Sequence, residues 1–280
     1  MTTTTLPDTA AVQRTARTQH YLMCRPEHFA VTYAINPWMD PSSPVDTSLA
    51  LRQWDALRAT YEDLGHRVDT IEPAAGLPDM VFAANGGIVI DGTAMASRFT
   101  HPERAAEGAL YLDWFETAGL HPAVQATEQN EGEGDFLTIG KVLLAGTGFR
   151  TSPAAHREVA DFFGREVVSL TLVDPRFYHL DTALTVLDDT TIAYFPGAFS
   201  AESRTELERR YPEAVLATAA DAELFGLNAM SDGRHVVLSD RAVQLHAQLR
   251  DRGFEPIGVD TSELLKAGGS AKCCTLEIRS

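Results

Sequence analysis

Cysteine is scarce in this chain: three in 280 residues, two of them adjacent at Cys273 and Cys274. That excludes a disulfide framework and fits a reducing compartment. Adjacent thiols with no Cys or His nearby also make a poor zinc site, so each is either a reactive thiol or a buried apolar residue. Basic residues are short as well, with 23 Lys and Arg against 39 Asp and Glu, a net charge of -16. Binding phosphate backbones needs a basic surface, so a nucleic-acid partner is excluded and docking on anionic membranes is disfavoured. No run of about 18 apolar residues suggests a transmembrane helix. The GxGxxG and P-loop spacings are missing, so no nucleotide cofactor is expected. Residues 1–18, rich in Thr and Ala and lacking a secretory apolar stretch, read as a flexible tail, and a cytoplasmic location is expected.

What is present is an ordinary globular composition, 44% hydrophobic and 22% charged, enough for a full core. No Pro/Ser-rich linker interrupts residues 19–280, which read as a single domain. Within it one grammar recurs. Helical spacing of Leu49, Trp54, Leu57, Tyr61 and Leu64 predicts a helix from Pro44 to Leu64 closed by Gly65. Further helices are expected over Pro102–Ala118, Ala154–Phe163, Ser200–Tyr211, Asp221–Phe225 and Asp240–Arg252. Between them lie paired apolar segments, Phe136–Ala145 with a Gly140-Lys141 turn, and His179–Leu187 with Thr191–Phe195 through Asp188-Asp189. The stretch Lys272–Ile278 reads as a last strand. Hairpin, helix and strand repeat four or five times at about 45 to 60 residues, which suggests a radially repeated α/β architecture. A doubly wound sheet would place helices between single strands instead of hairpins.

Polar or Gly-rich insertions break the apolar segments at Pro78–Gly86, Asn130–Asp135, Tyr178–Thr182, Leu227–Met230 and Gly268–Thr275. In a radial repeat, equivalent strand ends converge on one centre. Each insertion taken singly has a plain structural reading: a hydrogen-bonded His179, an acidic turn at Glu131–Asp135, a core Cys273. Together they supply a thiol, an imidazole, carboxylates and an amide, the parts of covalent catalysis with a general acid and base.

Gly268-Gly269 followed by Lys272-Cys273-Cys274-Thr275-Leu276 resembles the Gly-rich turn and nucleophilic cysteine of the guanidino-group modifying enzymes. The resemblance runs from about Tyr21 to Ile278. It implies a five-bladed α/β-propeller (pentein) of ββαβ units around a central active site, needing no metal or organic cofactor. It also implies that Cys273 is the nucleophile, with Cys274 on the opposite face of the strand, and that His179 in His179-Leu180-Asp181-Thr182 is the acid/base. The family's catalytic acid normally lies three residues before an Asp. Here Glu131-Gly132-Glu133-Gly134-Asp135 is one residue longer, so Glu131 or Glu133 takes the role, with Glu131 preferred. Arg150 and Arg104 match arginines that hold the substrate carboxylate, and Asn36 and Phe82 fall in substrate-binding motifs. Asn228 is similar to a recurrent Asn of the fourth repeat.

One departure bears on the reaction. Where deiminases and dimethylarginine hydrolases carry an Asp after the Phe, this chain reads Phe82-Ala83-Ala84-Asn85. A carboxylate only accepts hydrogen bonds and suits a guanidinium, whereas Asn also donates and suits the C=O of a ureido product. Asn85 is similar to the pattern of the arginine dihydrolases, so the expected reaction is arginine to ornithine, two ammonia and carbon dioxide. Alternatively Asn85 tolerates a bulkier substrate, and dimethylarginine goes to citrulline and dimethylamine. Amidinotransferase chemistry lacks a marked acceptor site, and a non-catalytic binding propeller leaves the thiol, imidazole and acid without reason to coincide. The expected partner is a small arginine-like molecule, and a homo-oligomer is compatible with the sequence.

Overall fold

The structure, a computed structural model, describes residues 14–279. Strands β1 (His20–Cys24) and β2 (Arg67–Ile71) run parallel. Three-stranded sheets follow in order: β3 (Gly87–Ile90), β4 (Thr93–Ala96) and β5 (Ala123–Gln125), then β6 (Phe136–Ile139), β7 (Val142–Thr147) and β8 (Glu166–Thr171). The next are β9 (Leu184–Val186), β10 (Ile192–Tyr194) and β11 (Val215–Leu216), then β12 (Met230–Ser231), β13 (His235–Ser239) and β14 (Glu255–Val259). Finally β15 (Leu276–Glu277) pairs antiparallel with β1, so the C-terminal strand completes the sheet begun at the N-terminus. In all five sheets the first pair is antiparallel and the second parallel. The innermost strands lie against one another, β15 on β3, β6 on β9 and β9 on β12. The chain is a five-bladed α/β-propeller, as the resemblance implied and in keeping with its repeat period.

Each blade's helix is fixed locally and then packed. Asp46 caps the helix Thr47–Asp63, accepting the N–H of Leu49 at 3.0 Å. Ala50, Trp54, Leu57 and Tyr61 form its buried stripe. Leu57 is fully buried, and its truncation to Ala would cost about 3 kcal/mol. Ser152 caps the helix Pro153–Phe163, with Pro at its first turn and Gly164 in the left-handed conformation after its end. Strand β3 is buried at every residue, which explains its unbroken apolar run.

Three expectations need correction. Residues 179–183, read as strand, form a helical turn, Leu180–Ala183, before β9; burial of Leu180 and Ala183 against the core overrides local alternation. The start of the expected last strand, residues 272–274, forms a turn instead, with Thr275 N donating to Lys272 O at 2.8 Å and Cys274 N to Ser270 O at 3.2 Å. Cys274 therefore does not alternate with Cys273 across a pleat, and both thiols are buried in one cluster. The helix expected over Pro102–Ala118 is divided, a short 3-10 turn at Pro102–Arg104 preceding the helix Glu107–Thr117. The proposed tail lies mostly outside the described residues. Its end is held: Arg17 N donates to Asp232 O at 2.9 Å, and its guanidinium pairs with Asp189 at 2.7 Å. No helix among the described residues is long and apolar enough to cross a membrane.

Candidate active site

All five innermost strands are preceded by one buried polar segment. Asn85 comes just before β3, Glu131 and Glu133 before β6, His179 and Asp181 before β9, Asn228 before β12 and Cys273 before β15. The radial repeat therefore gathers at one end of the propeller residues nearly 190 positions apart in the chain. Each of these side chains is at most 2% exposed.

The turn carrying Cys273 is held by Asn228. Asn228 Oδ1 accepts the backbone N–H groups of Ser270 and Cys273, both at 3.0 Å. Its Nδ2 donates to Asp181 O at 3.1 Å and lies 3.1 Å from Cys273 Sγ. The thiol in turn donates to Asp181 Oδ2 at 3.2 Å. Burial pushes the Cys273 thiol well above its ordinary value, and the adjacent Asp181 pushes it further. Burial also lifts Asp181, up to about 7, against the opposing hydrogen bond from Cys273. At rest the nucleophile candidate is thus a protonated thiol; a cation placed between it and Asp181 would favour both anions.

The run Glu131–Asp135 folds around a 3-10 turn at Gly132–Gly134, which sends its two glutamates to different partners. Glu131 lies beside the imidazole, with His179 Nε2 donating to Oε2 at 2.8 Å and Arg150 Nη1 donating at 2.9 Å. Burial would raise Glu131, but the charge of Arg150 and the His179 hydrogen bond outweigh it and hold the carboxyl well below its usual range. Glu133 instead accepts from Lys272 Nζ at 2.6 Å and Glu277 N at 2.9 Å, and pairs with Arg279. It ties the acidic run to the cysteine turn. Gly132 has φ +53°, and an added Cβ would sit 2.6 Å from the Gly87 backbone, so no other residue fits. Because a carboxylate only accepts, His179 carries its proton on Nε2. Its Nδ1 is buried and unpartnered, the atom left to exchange protons with a ligand.

Asn85 makes one contact to a charged group: its Oδ1 accepts from Arg104 Nη1 at 2.7 Å, while Nδ2 is buried and unpartnered. The Arg104 fork is otherwise engaged with Glu107, at 2.9 and 2.8 Å, and with Asp79 O at 3.2 Å. Arg150 additionally donates to Ile35 O at 2.8 Å and lies over the Tyr178 ring. Asn36 spans two segments, donating to Ala267 O at 3.0 Å and accepting from Trp38 N at 2.9 Å. This pins the loop before the first helix onto the Gly268-Gly269 turn. Phe82 packs against Gly269 and edge-on to Phe29.

Two carboxylates escaped the sequence reading. Asp181 sits two residues after His179, inside the motif that drew attention to the histidine. Asp79, beside Pro78, is buried with Tyr33 donating to Oδ2 at 2.8 Å and Oδ1 unpartnered. Burial raises its pKa despite the nearby charges of Arg104 and Arg150. A buried carboxylate oxygen with no partner, close to two arginines, was invisible in a motif of one acid among apolar residues. Among the described residues no group of three or more His, Cys, Asp or Glu is arranged to hold a metal.

Residues 25–280 match the model of the family described as N,N dimethylarginine dimethylhydrolase, eukaryotic. The chain is 56% identical over 266 residues to an N(G),N(G)-dimethylarginine dimethylaminohydrolase of Mycobacterium tuberculosis, across 95% of this chain and 88% of that protein. It is 38% identical over 265 residues to a bifunctional arginine dihydrolase/ornithine cyclodeaminase of Synechocystis, spanning 92% of this chain and 37% of that longer protein. Among solved structures, the N-terminal domain of ArgZ, an arginine dihydrolase from cyanobacteria, superposes with a TM-score of 0.90 at 36% identity, covering 94% of this chain and 98% of that one. This is a hydrolase of guanidino C–N bonds, and the chain belongs to the N,N dimethylarginine dimethylhydrolase family.

Proposed function

We propose that the protein is an arginine dihydrolase, taking arginine through a citrulline-level intermediate to ornithine. The observation that carries this reading is Asn85, whose buried, unpartnered Nδ2 offers donors where a ureido oxygen would need them. A guanidinium has no acceptor and would leave that amide unsatisfied, a cost of about 1–3 kcal/mol when buried.

In this scheme the guanidinium lies between two acceptors, Glu131 and Asp181, and its charge favours the Cys273 thiolate. As the thiol ionises its proton passes to His179 Nδ1, Sγ forms a bond to the guanidinium carbon, and Nδ1 returns that proton to the nitrogen that leaves as ammonia. The resulting thiouronium is attacked by water, whose proton returns to His179, and the S–C bond breaks to give citrulline. Held by Asn85, the ureido carbon is attacked by Sγ a second time. Loss of the second ammonia leaves a thiocarbamate, and water releases carbamic acid, which decomposes to ornithine and carbon dioxide. Two waters enter and two ammonia and one carbon dioxide leave. Arg150 is assigned to the substrate carboxylate, and the free oxygen of Asp79 to its ammonium. With three unpaired, buried cysteines, a cytoplasmic location fits.

The second reading, dimethylarginine to citrulline and dimethylamine, draws on the 56% identity to the mycobacterial protein. Incubation with L-arginine, with Cys273→Ser as control, separates them. Ornithine with two equivalents of ammonia supports the dihydrolase. Citrulline with one equivalent removes the second step, and dimethylamine from dimethylarginine with no turnover of arginine establishes the alternative.

A further inference from the structure

We infer that Arg104, braced by Glu107, is a positioning residue that sets the orientation of the Asn85 amide and thereby the site's preference for a ureido group over a guanidinium. The inference rests on the assignment of Asn85 to the ureido oxygen made above and goes beyond it, naming what imposes that chemistry.

An asparagine amide is nearly symmetric in shape and can present either its oxygen or its nitrogen to a ligand. Which one faces the site decides what the site binds. A guanidinium has five donors and no acceptor, so the atom 2.7 Å from Arg104 Nη1 must be Oδ1. The nitrogen is then turned the other way, where it is buried without a protein partner. Its surroundings are the reaction centre: a Cβ added at Gly134 would stand 2.5 Å from Asn85 Nδ2 and 3.1 Å from His179 Nδ1.

Arg104 itself has little freedom. Glu107, one turn along at the start of the next helix, grips the fork through Nε at 2.9 Å and Nη2 at 2.8 Å. The remaining edge points at Asn85 and at Asp79 O, and the face lies over the Phe99 ring at 4.6 Å. Arg104 is 3% exposed and Glu107 fully buried. A planar fork held on two sides is a rigid template, which a lysine ammonium, a single point donor, could not replace.

The test measures binding of citrulline and arginine to a Cys273→Ser protein, alone and with Arg104→Lys, by calorimetry. Both ligands carry the same carboxylate and ammonium and differ only at the reacting end. Release of the Asn85 amide should weaken citrulline about three- to tenfold relative to arginine, the worth of one hydrogen bond. Glu107→Gln, which keeps shape while loosening the fork, should move the ratio in the same direction and guards against poor folding of the lysine variant. An equal loss for both ligands, with the ratio unchanged, would overturn the inference and place Arg104 on the substrate carboxylate. Turnover by the Cys273-intact protein reads the dihydrolase assignment separately. An enzyme that stops at citrulline, with the ratio still shifted, sinks that assignment and leaves the role of Arg104 standing.

Discussion

Asn228 holds Cys273 by both ends of its amide: Oδ1 accepts the cysteine's backbone N–H at 3.0 Å, and Nδ2 stands 3.1 Å from its Sγ. One side chain, from the segment that enters the β12–β14 blade, thus sets both the path of the nucleophile's turn and the surroundings of its sulfur. Asn228→Ala should strand two buried N–H groups, those of Ser270 and Cys273, and displace the thiol. A shift of about 1 Å in a reacting atom costs about a hundredfold in rate. A fall of that order in kcat, together with slower alkylation of Cys273 by iodoacetamide, is the expected result. Unchanged alkylation would mean the turn stands without this residue.

Asp181 supplies a pH dependence. Its carboxyl is lifted to about 7 by burial, far above an ordinary aspartate. If Asp181 must be ionised to grip a guanidinium, kcat/KM for arginine rises with pH through about 7, and Asp181→Asn removes that limb along with most activity. The effect on stability has the opposite sign. A folded pKa above the unfolded one, about 3.9, contributes stability that is complete below the lower value and is lost as pH rises through the higher. Asp181→Asn should therefore raise the melting temperature at pH 8 relative to the parent and change it less at pH 5. Parallel melting profiles for the two proteins would contradict this.

Gly134 faces two working atoms. An alanine there would place its Cβ 2.5 Å from Asn85 Nδ2 and 3.1 Å from His179 Nδ1. Gly134→Ala is expected to reduce kcat/KM at least a hundredfold while far-UV circular dichroism stays native. Activity within a few-fold of the parent would show that neither atom is needed where it stands.

Lys272 neutralises Glu133 at 2.6 Å in a setting where both are almost wholly buried. Removing one partner of such a pair typically costs about 3–5 kcal/mol. Arg279, also paired with Glu133, should keep the loss of Lys272→Met near the lower figure, read from urea unfolding. Adding Glu133→Gln should recover part of it, and failure of that rescue would argue that Lys272 acts through its other contacts, Thr275 O at 3.0 Å and Glu277 at 3.7 Å.

Asp79 is tested by deleting its proposed ligand instead of the residue alone. Asp79→Asn should raise KM for arginine about tenfold or more, the loss expected for a charged hydrogen bond. For 5-guanidinovalerate, which lacks the ammonium, KM should change little. Equal effects on both substrates would assign Asp79 to holding Tyr33 and the fold around it.

Much of this protein could be read from its sequence. The helices Thr47–Asp63 and Pro153–Phe163 fall close to the expected Pro44–Leu64 and Ala154–Phe163, because local caps, Asp46 before the first and Gly164 after the second, mark their ends. The period of hairpin, helix and strand determined the architecture, because a unit that cannot bury its own apolar face must repeat. The motifs around Cys273, His179 and Asn85 marked the chemistry.

Tertiary structure decided the rest, where local sequence carries no preference. Glu131 and Glu133 sit in the same Gly-rich run and are indistinguishable by composition. They part because Lys272, 139 residues away, takes one, and His179, 48 residues away, takes the other. Residues 179–183 and 272–274 read as parts of strands, yet burial and backbone bonding within each segment bend them into turns. The direction of the Asn85 amide follows from a guanidinium 19 residues on, since only a neighbour in space can tell its oxygen from its nitrogen. Short-range propensity shaped the elements of this protein, and long-range electrostatics in a buried centre assigned their side chains.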